Sequence, residues 1–214
     1  MRANAERIAN LDVTTPLIAD MDNGFGGPMM IERAVTEYTR AGVAAFHIED
    51  QVFQKRCGDL NGKEVVDLEE YITRVRATKL TKEKIGSDIV IIGRTDALQK
   101  HGYDEAIRRL RAAHEAGTDV GQLEGVTSKE MARQAVQDLA PLPLLLNMVE
   151  HGATPGDRRR EARARLRGTL MLRMRSSSPP KRRSLRATAC PTRRLTRSGS
   201  PGLEDIFSSL LVVY

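Results

Sequence analysis

At 214 residues, of which 40% are hydrophobic and 29% charged, the chain is long enough for one domain with a buried core but short of the ~250 residues that a closed eight-unit βα barrel usually takes. The formal net charge of +6 is unevenly spread: residues 157–214 carry fifteen Lys and Arg against four Asp and Glu, which leaves residues 1–156 at −5. That origin excludes reading the whole molecule as a nucleic-acid-binding surface, which needs basic side chains organised on a folded face. No run of about 18 apolar residues marks a membrane span, and the first residues lack the basic-then-apolar pattern of a secretory signal. Two cysteines in unlike contexts, Cys57 and Cys190, do not make a disulfide framework. The expectation is a soluble cytoplasmic protein without a membrane partner, a mitochondrial location being the alternative.

In chain order, residues 1–10 have helical composition with Ala5, Ile8 and Ala9 on one side. Residues 16–19 form a short buried strand, and the loop Asp20-Met21-Asp22-Asn23-Gly24-Phe25-Gly26-Gly27-Pro28 follows. Asp20 and Asp22 offer hard oxygen ligands to a cation that keeps several waters, as Mg²⁺ does; the plain alternative is an Asx turn ahead of a helix. A helix spans 29–41 and stops at Gly42; a strand over 43–48 then delivers Glu49 and Asp50. The next loop presents Lys55, Arg56 and Cys57 before Gly58. A lone loop cysteine is usually an inert thiol, but neighbouring cations favour the thiolate.

Asp67 caps a helix over 67–80, and the apolar strand 88–92 ends at Arg94, Thr95 and Asp96. Arginine at a strand tip suits a bidentate clamp on a substrate carboxylate, with a structural ion pair to Asp96 as the competing role. A helix over 103–116 is closed by Gly117, a strand over 120–123 ends at Glu124, Ser128 caps a helix over 128–139, and a strand over 142–146 ends at Asn147. Strand, polar tip and helix thus repeat five times, with tips Asp20, Glu49, Arg94, Glu124 and Asn147. This predicts an α/β fold, a parallel (βα) barrel of about five units in residues 1–155 with one site at its C-terminal edge. An open doubly wound sheet is the alternative, but no Gly-x-Gly-x-x-Gly turn opens a helix.

From residue 156 the periodicity stops. Residues 157–197 contain no aromatic residue and use fourteen Arg to one Lys, against twelve Arg to seven Lys in residues 1–156. One reading of residues 156–214 is a disordered basic tail binding nucleic acid or an acidic partner. The favoured one is a GC-rich frame read out of register, which yields mainly Arg, Ala, Pro and Ser.

The stretches Pro-Leu-Ile-Ala-Asp-Met-Asp-Asn-Gly-Phe-Gly-Gly (16–27), His-Ile-Glu-Asp-Gln (47–51), Lys-Arg-Cys-Gly (55–58), Asp-Ile-Val-Ile-Ile-Gly-Arg-Thr-Asp-Ala (88–97), Leu-Glu-Gly (123–125) and Leu-Leu-Asn-Met-Val-Glu (145–150) together resemble the isocitrate lyase and phosphoenolpyruvate mutase superfamily. The closest likeness is to its 2-methylisocitrate lyase and oxaloacetate hydrolase branch. The resemblance implies a carbon–carbon lyase that is dependent on Mg²⁺, with Mn²⁺ as a substitute, and cleaves a small 2-hydroxy di- or tricarboxylate through a metal-stabilised enolate. By the same resemblance Asp20, Asp22 and Glu49 hold the metal directly or through water. Cys57 is the acid/base that protonates the departing carbanion, aided by Lys55 and Arg56; Arg94, Glu124 and Asn147 position the substrate; and Gly58 lets the loop close. A homotetramer exchanging a C-terminal helix is the implied assembly.

Two departures stand out. Asp59 replaces the family's histidine after Lys-Arg-Cys-Gly, where a carboxylate would repel an anionic substrate and disfavour the thiolate, and Gly93 stands where alanine is usual. The family's first two strands would precede Met1, and its last two find no match after Pro155, so the sequence is expected to be a truncated relative. Oxaloacetate hydrolysis to oxalate and acetate is the second function considered, and an inactive fragment or a nonenzymatic nucleic-acid binder acting through the basic tail the third. Nucleic-acid binding with a steep salt dependence, lost on deleting residues 157–214, would favour the binder. Messenger sequenced across codon 156 is expected to show the frame change; an uninterrupted frame together with tryptic peptides from the tail would sink that reading.

Overall fold

The computed structural model describes residues 1–55, 57, 62–147, 169–172 and 211–213. Several helix ends fall at local signals, and the helix expected over 67–80 runs on to Lys84. The Asp67 carboxylate accepts from the Glu70 amide at 2.8 Å to start α3 (Leu68–Lys84), and the Ser128 hydroxyl accepts from the Met131 amide at 3.0 Å to start α6 (Lys129–Asp138). Proline opens α2 (Pro28–Arg40), and Gly117 at φ 124° closes α5 (Tyr103–Ala116). The N-terminal α1 (Arg2–Ala9) buries Ala5 and Ala9.

Strands β1 (Leu17–Asp20), β2 (Ala45–Glu49), β3 (Val90–Thr95), β4 (Val120–Leu123) and β5 (Leu144–Asn147) lie side by side in chain order, all parallel. Alternation along each strand divides the side chains between two faces. On the outer face Leu17, Ala19, Phe46, Ile48 and Ile91 pack against Ile31, Val35, Tyr38, Tyr71 and Val75 of α2 and α3. Further along the sheet Leu123, Leu144 and Leu146 meet Ile107 and Leu110 of α5 and Ala132 and Ala135 of α6. The inner face holds Ile18, Ala45, Val90, Ile92, Val120 and Leu145 at its N-terminal half. One or two residues further along the same face come Asp20, His47, Glu49, Arg94, Gln122 and Asn147. This is the expected parallel half-barrel of five strands with helices outside.

Three details differ from the sequence expectation. Strands β1, β2, β3 and β5 run on through their polar tips, because pairs such as Glu49 with Arg94 continue the ladder; Asp20, Glu49, Arg94 and Asn147 are therefore strand residues. A short helix α4 (Leu98–His101) precedes α5. Beyond residue 156, where no strand is expected, β6 (Thr169–Leu172) adds antiparallel to β5 and β7 (Leu211–Val213) adds parallel to β1, so the sheet order is β6-β5-β4-β3-β2-β1-β7. Edge strands leave rows of unpaired amides and carbonyls that template such additions whatever the side chains. No described helix is long and apolar enough to cross a membrane.

On the outer face one ion pair is fully enclosed. Arg109 of α5 donates to the Asp50 carboxylate at 3.1 Å, Thr95 donates to it at 2.6 Å and the Asp96 amide at 2.9 Å. Arg109 also donates to the Val66 carbonyl at 2.8 Å and the Glu105 carboxylate at 2.8 Å. Removing one member of such a pair strands the other in a medium that solvates it poorly. Arg109→Ala is therefore expected to lower unfolding free energy by about 3–5 kcal/mol in denaturant titration, while Arg108→Ala, at an exposed pair with Glu105, should leave it nearly unchanged.

Candidate active site

The polar tips of the inner face form a connected cluster around Arg94. Its Nε and Nη2 donate to the Asp96 carboxylate at 2.9 and 3.1 Å in a fork, and Nε lies 3.4 Å from Glu49 and 3.8 Å from Glu124. One bidentate edge of Arg94 is thus occupied by Asp96, the structural ion pair, and the guanidinium has further N–H groups on Nη1 and Nη2. Lys63 Nζ donates to the same Asp96 carboxylate at 2.8 Å and is almost fully buried. Lys55 reaches back from the loop to bridge Asp22 and Glu49, lying 3.2 Å from Glu49 Oε1.

Backbone contacts fix where these groups stand. The Glu49 amide donates to the Asp22 carbonyl at 2.9 Å, and the Met21 amide to the His47 carbonyl at 3.1 Å, so the Asp20–Asp22 turn is clamped to the end of β2. Asp20 Oδ1 accepts from the Asp22 amide at 2.8 Å, the Asx turn weighed from sequence, and Tyr38 donates to the Asp20 carbonyl at 2.8 Å. Gly24, at φ 89°, passes so close to Ile31 that no side chain fits there. Asn23 donates to the Val52 carbonyl at 3.1 Å, joining this turn to the Lys55 loop. Arg74 of α3 holds the other side, donating to the Glu49 and Gln51 carbonyls at 3.1 and 2.7 Å.

Burial dominates the electrostatics. It pushes the Glu49 carboxyl up to about 7, with Arg94 and Lys55 pulling the other way and Asp96 and Asp20 adding to the rise. It drives the His47 imidazole, one step down the same strand, to about 3, a direction that Arg94 and Lys55 reinforce; His47 is a neutral ring at neutral pH. For Asp96 burial favours the neutral acid, but Arg94 and Lys63 outweigh it and hold the carboxyl below its usual range.

Asp20, Asp22, Glu49, Asp96 and Glu124 face Arg94, Lys55 and Lys63, five carboxylates against three cations. The excess of two negative charges is what one divalent cation neutralises, and Lys55 marks where positive charge is drawn in. Among the described residues no three His, Cys, Asp or Glu side chains are grouped as direct ligands of one ion. Asp20, Asp22 and Glu49 offer carboxylate oxygens, the hard donors that a cation such as Mg²⁺ takes while it keeps waters.

Of the residues expected from sequence, Asp20, Asp22, Glu49, Lys55, Arg94 and Glu124 are brought together; Asn147 ends the neighbouring strand on the same face, with its Oδ1 buried and lacking a donor. Cys57 is a free, exposed thiol on the loop that follows Lys55. Arg56, Gly58 and Asp59 lie outside the described residues. The sequence reading missed Lys63 and Gln122, and saw Asp96 only as a partner for Arg94. Gln122 had a readable signal, an amide two residues before Glu124 in a strand otherwise apolar on that face. At Gly93 a Cβ would sit 2.7 Å from Thr118 Cγ2 and 3.0 Å from the Tyr71 hydroxyl, so the glycine matches its neighbours.

The sequence profile described as phosphoenolpyruvate phosphomutase matches residues 1–162. The chain is 41% identical over 157 residues to 2-methylisocitrate lyase of Vibrio cholerae, covering 71% of this chain and 50% of that one. Among solved structures it is similar to 2,3-dimethylmalate lyase, with a TM-score of 0.73 and 62% identity, over 77% of this chain and 54% of that one. It is also similar to oxaloacetate acetylhydrolase in complex with 3,3-difluorooxalacetate, with a TM-score of 0.72 and 57% identity, over 77% of this chain and 56% of that one. Phosphonopyruvate hydrolase in complex with oxalate and Mg²⁺ aligns at a TM-score of 0.59 and 30% identity, over 68% of this chain and 50% of that one. The chain spans about half the length of the curated relatives it matches. It belongs to the phosphoenolpyruvate mutase/isocitrate lyase superfamily.

Proposed function

We propose that this chain carries the site of a Mg²⁺-dependent carbon–carbon lyase that cleaves a small 2-hydroxy di- or tricarboxylate of the 2-methylisocitrate or 2,3-dimethylmalate kind. The observation that carries the reading is the Glu49–Arg94–Lys55 cluster at the C-terminal edge of the inner face, with its uncompensated negative charge. Asp20, Asp22 and Glu49 would hold the cation, which when bound supplies positive charge for the substrate's carboxylate and oxygen. Lys55 and Arg94 add fixed positive charge where the substrate's carboxylates and the developing negative charge lie, in a site that excludes water. Glu124 and Asn147 position the substrate from the adjacent strands. As the carbon–carbon bond breaks, the substrate hydroxyl gives its proton to a carboxylate of the cluster and its O–H electron pair becomes the second bond of the new carbonyl; the carbon–carbon pair passes to the departing carbon, and the Cys57 thiol, carried in by its loop, delivers the proton from Sγ and is left as a thiolate. A thiol in that role needs a reducing compartment, which supports a cytoplasmic location. Hydrolysis of oxaloacetate is the second reading, favoured by the likeness to oxaloacetate acetylhydrolase; the same charge arrangement serves either bond cleavage.

Thermal unfolding with and without Mg²⁺ plus oxalate tests the site. A cooperative transition that shifts upward only when both are present is expected, by about 2.7 kcal/mol of added stability at a hundredfold excess over Kd; no shift would overturn the reading. With 2-methylisocitrate or 2,3-dimethylmalate as substrate, Cys57→Ser should reduce kcat by about 10²–10⁴-fold with little change in the response to oxalate, and an undiminished rate would remove Cys57 from its role. Glu49→Gln should abolish the Mg²⁺ dependence of the thermal shift, because it removes one of the charges that draws the cation in.

A further inference from the structure

We propose that Gln122 is a specificity-determining residue whose amide oxygen, buried on the inner face beside Arg94, accepts a hydrogen bond from the hydroxyl of a 2-hydroxy acid. The inference rests on the lyase reading above and narrows its substrate class.

Alternation in β4 places Val120 and Gln122 on the inner face, Val120 within the apolar cluster and Gln122 one step nearer the polar edge. Its register partners are Arg94 on β3 and Leu145 on β5, and its side chain is fully buried. The amide's orientation is set by chemistry: Nε2 donates to Glu124 Oε2 at 2.9 Å, and because a carboxylate only accepts, the amide oxygen must face the other way. That oxygen, Oε1, finds no donor among the described residues. A buried acceptor left without a donor forfeits the hydration it had in the unfolded chain. A leucine or methionine would fill the same volume without that loss, so the amide marks a position for a donor beyond the described residues, and a bound hydroxy acid brings one.

None of the nearby cations donates to this oxygen. Arg94 turns Nε and Nη2 to Asp96, Lys63 binds Asp96, and Lys55 lies between Asp22 and Glu49. The carboxylates of an ionised substrate accept and cannot donate. The hydroxyl on the carbon beside the carboxylate is the donor such a molecule brings. Asn147 Oδ1, buried and also without a donor at the end of the adjacent strand, extends the same acceptor-lined side of the site. Glu49, Arg94 and Lys55 thus handle charge, while the β4–β5 side reads the hydroxyl.

Malate and succinate differ by that one hydroxyl, so their competition against oxalate for the full chain in Mg²⁺, followed by calorimetry, measures its recognition directly. The wild type is expected to bind malate about tenfold more tightly than succinate, the scale of one neutral hydrogen bond, and in Gln122→Met the ratio should fall to about one. Equal affinities in the wild type, or a ratio that survives the substitution, would overturn the role of Gln122 even though oxalate still binds. A wild type that binds neither oxalate nor either diacid would remove the lyase reading and this inference with it. Should Gln122→Met fail to fold, Gln122→Leu is measured in the same competition, and a malate-to-succinate ratio that survives it would overturn the role of Gln122.

Discussion

Glu49 and Asp50 are adjacent in sequence and, because β2 alternates, they serve opposite faces of the sheet. Glu49 enters the inner cluster with Arg94 and Lys55, and Asp50 goes outward to Arg109, Thr95 and the Asp96 amide. The two roles are coupled through one residue. Asp96 is held by its amide from Asp50 on the outer side and holds Arg94 by its carboxylate on the inner side. A one-residue slip of β2 would exchange the two carboxylates and destroy both networks at once. The register that builds the half-barrel is for that reason the register that builds the site.

Charge within the cluster is arranged so that no single cation satisfies it. Arg94 is shared by Asp96, Glu49 and Glu124, yet its fork belongs to Asp96, which also takes Lys63 from the segment leading into α3. Glu49 is left with longer contacts to Arg94 and Lys55, and burial keeps its carboxyl up near 7. A carboxylate in that condition gains more from an added cation than one already forked, since the cation recovers ionisation that burial suppresses. Asp96 is spent on structure, and Glu49 is the tip with charge to offer.

Much of this was legible in the sequence, for identifiable reasons. The caps Asp67 and Ser128, the stops at Gly42 and Gly117 and the five apolar runs ending in polar tips are local signals, and local signals survive folding. Apolar runs stop short of the true strand ends, because a charged residue closes the run while Glu49 and Arg94 continue the ladder as register partners. Long-range choices were invisible. Nothing around Lys63 indicates that it returns to Asp96, thirty-three residues on, and nothing between 157 and 214 has the alternation that would announce β6 and β7, whose pairing depends on sheet edges rather than on their own pattern.

The choice that sequence left open for Arg94, substrate clamp or structural ion pair, resolves into a division of labour. By giving the Nε/Nη2 edge to Asp96, Arg94 keeps only the N–H groups of its Nη1/Nη2 end for a substrate carboxylate. It gains a fixed orientation, held from behind by Asp50 and Arg109 through Asp96. A rigid guanidinium at the centre of the inner face contributes positive potential that costs no reorganisation when negative charge develops nearby, which is worth more to a transition state than a tighter hold on the ground-state substrate. Under the proposed lyase reading, recognition of the substrate's shape would fall to neighbours that carry no charge, and on this face those neighbours are the two amides whose oxygens lack donors among the described residues, Gln122 and Asn147.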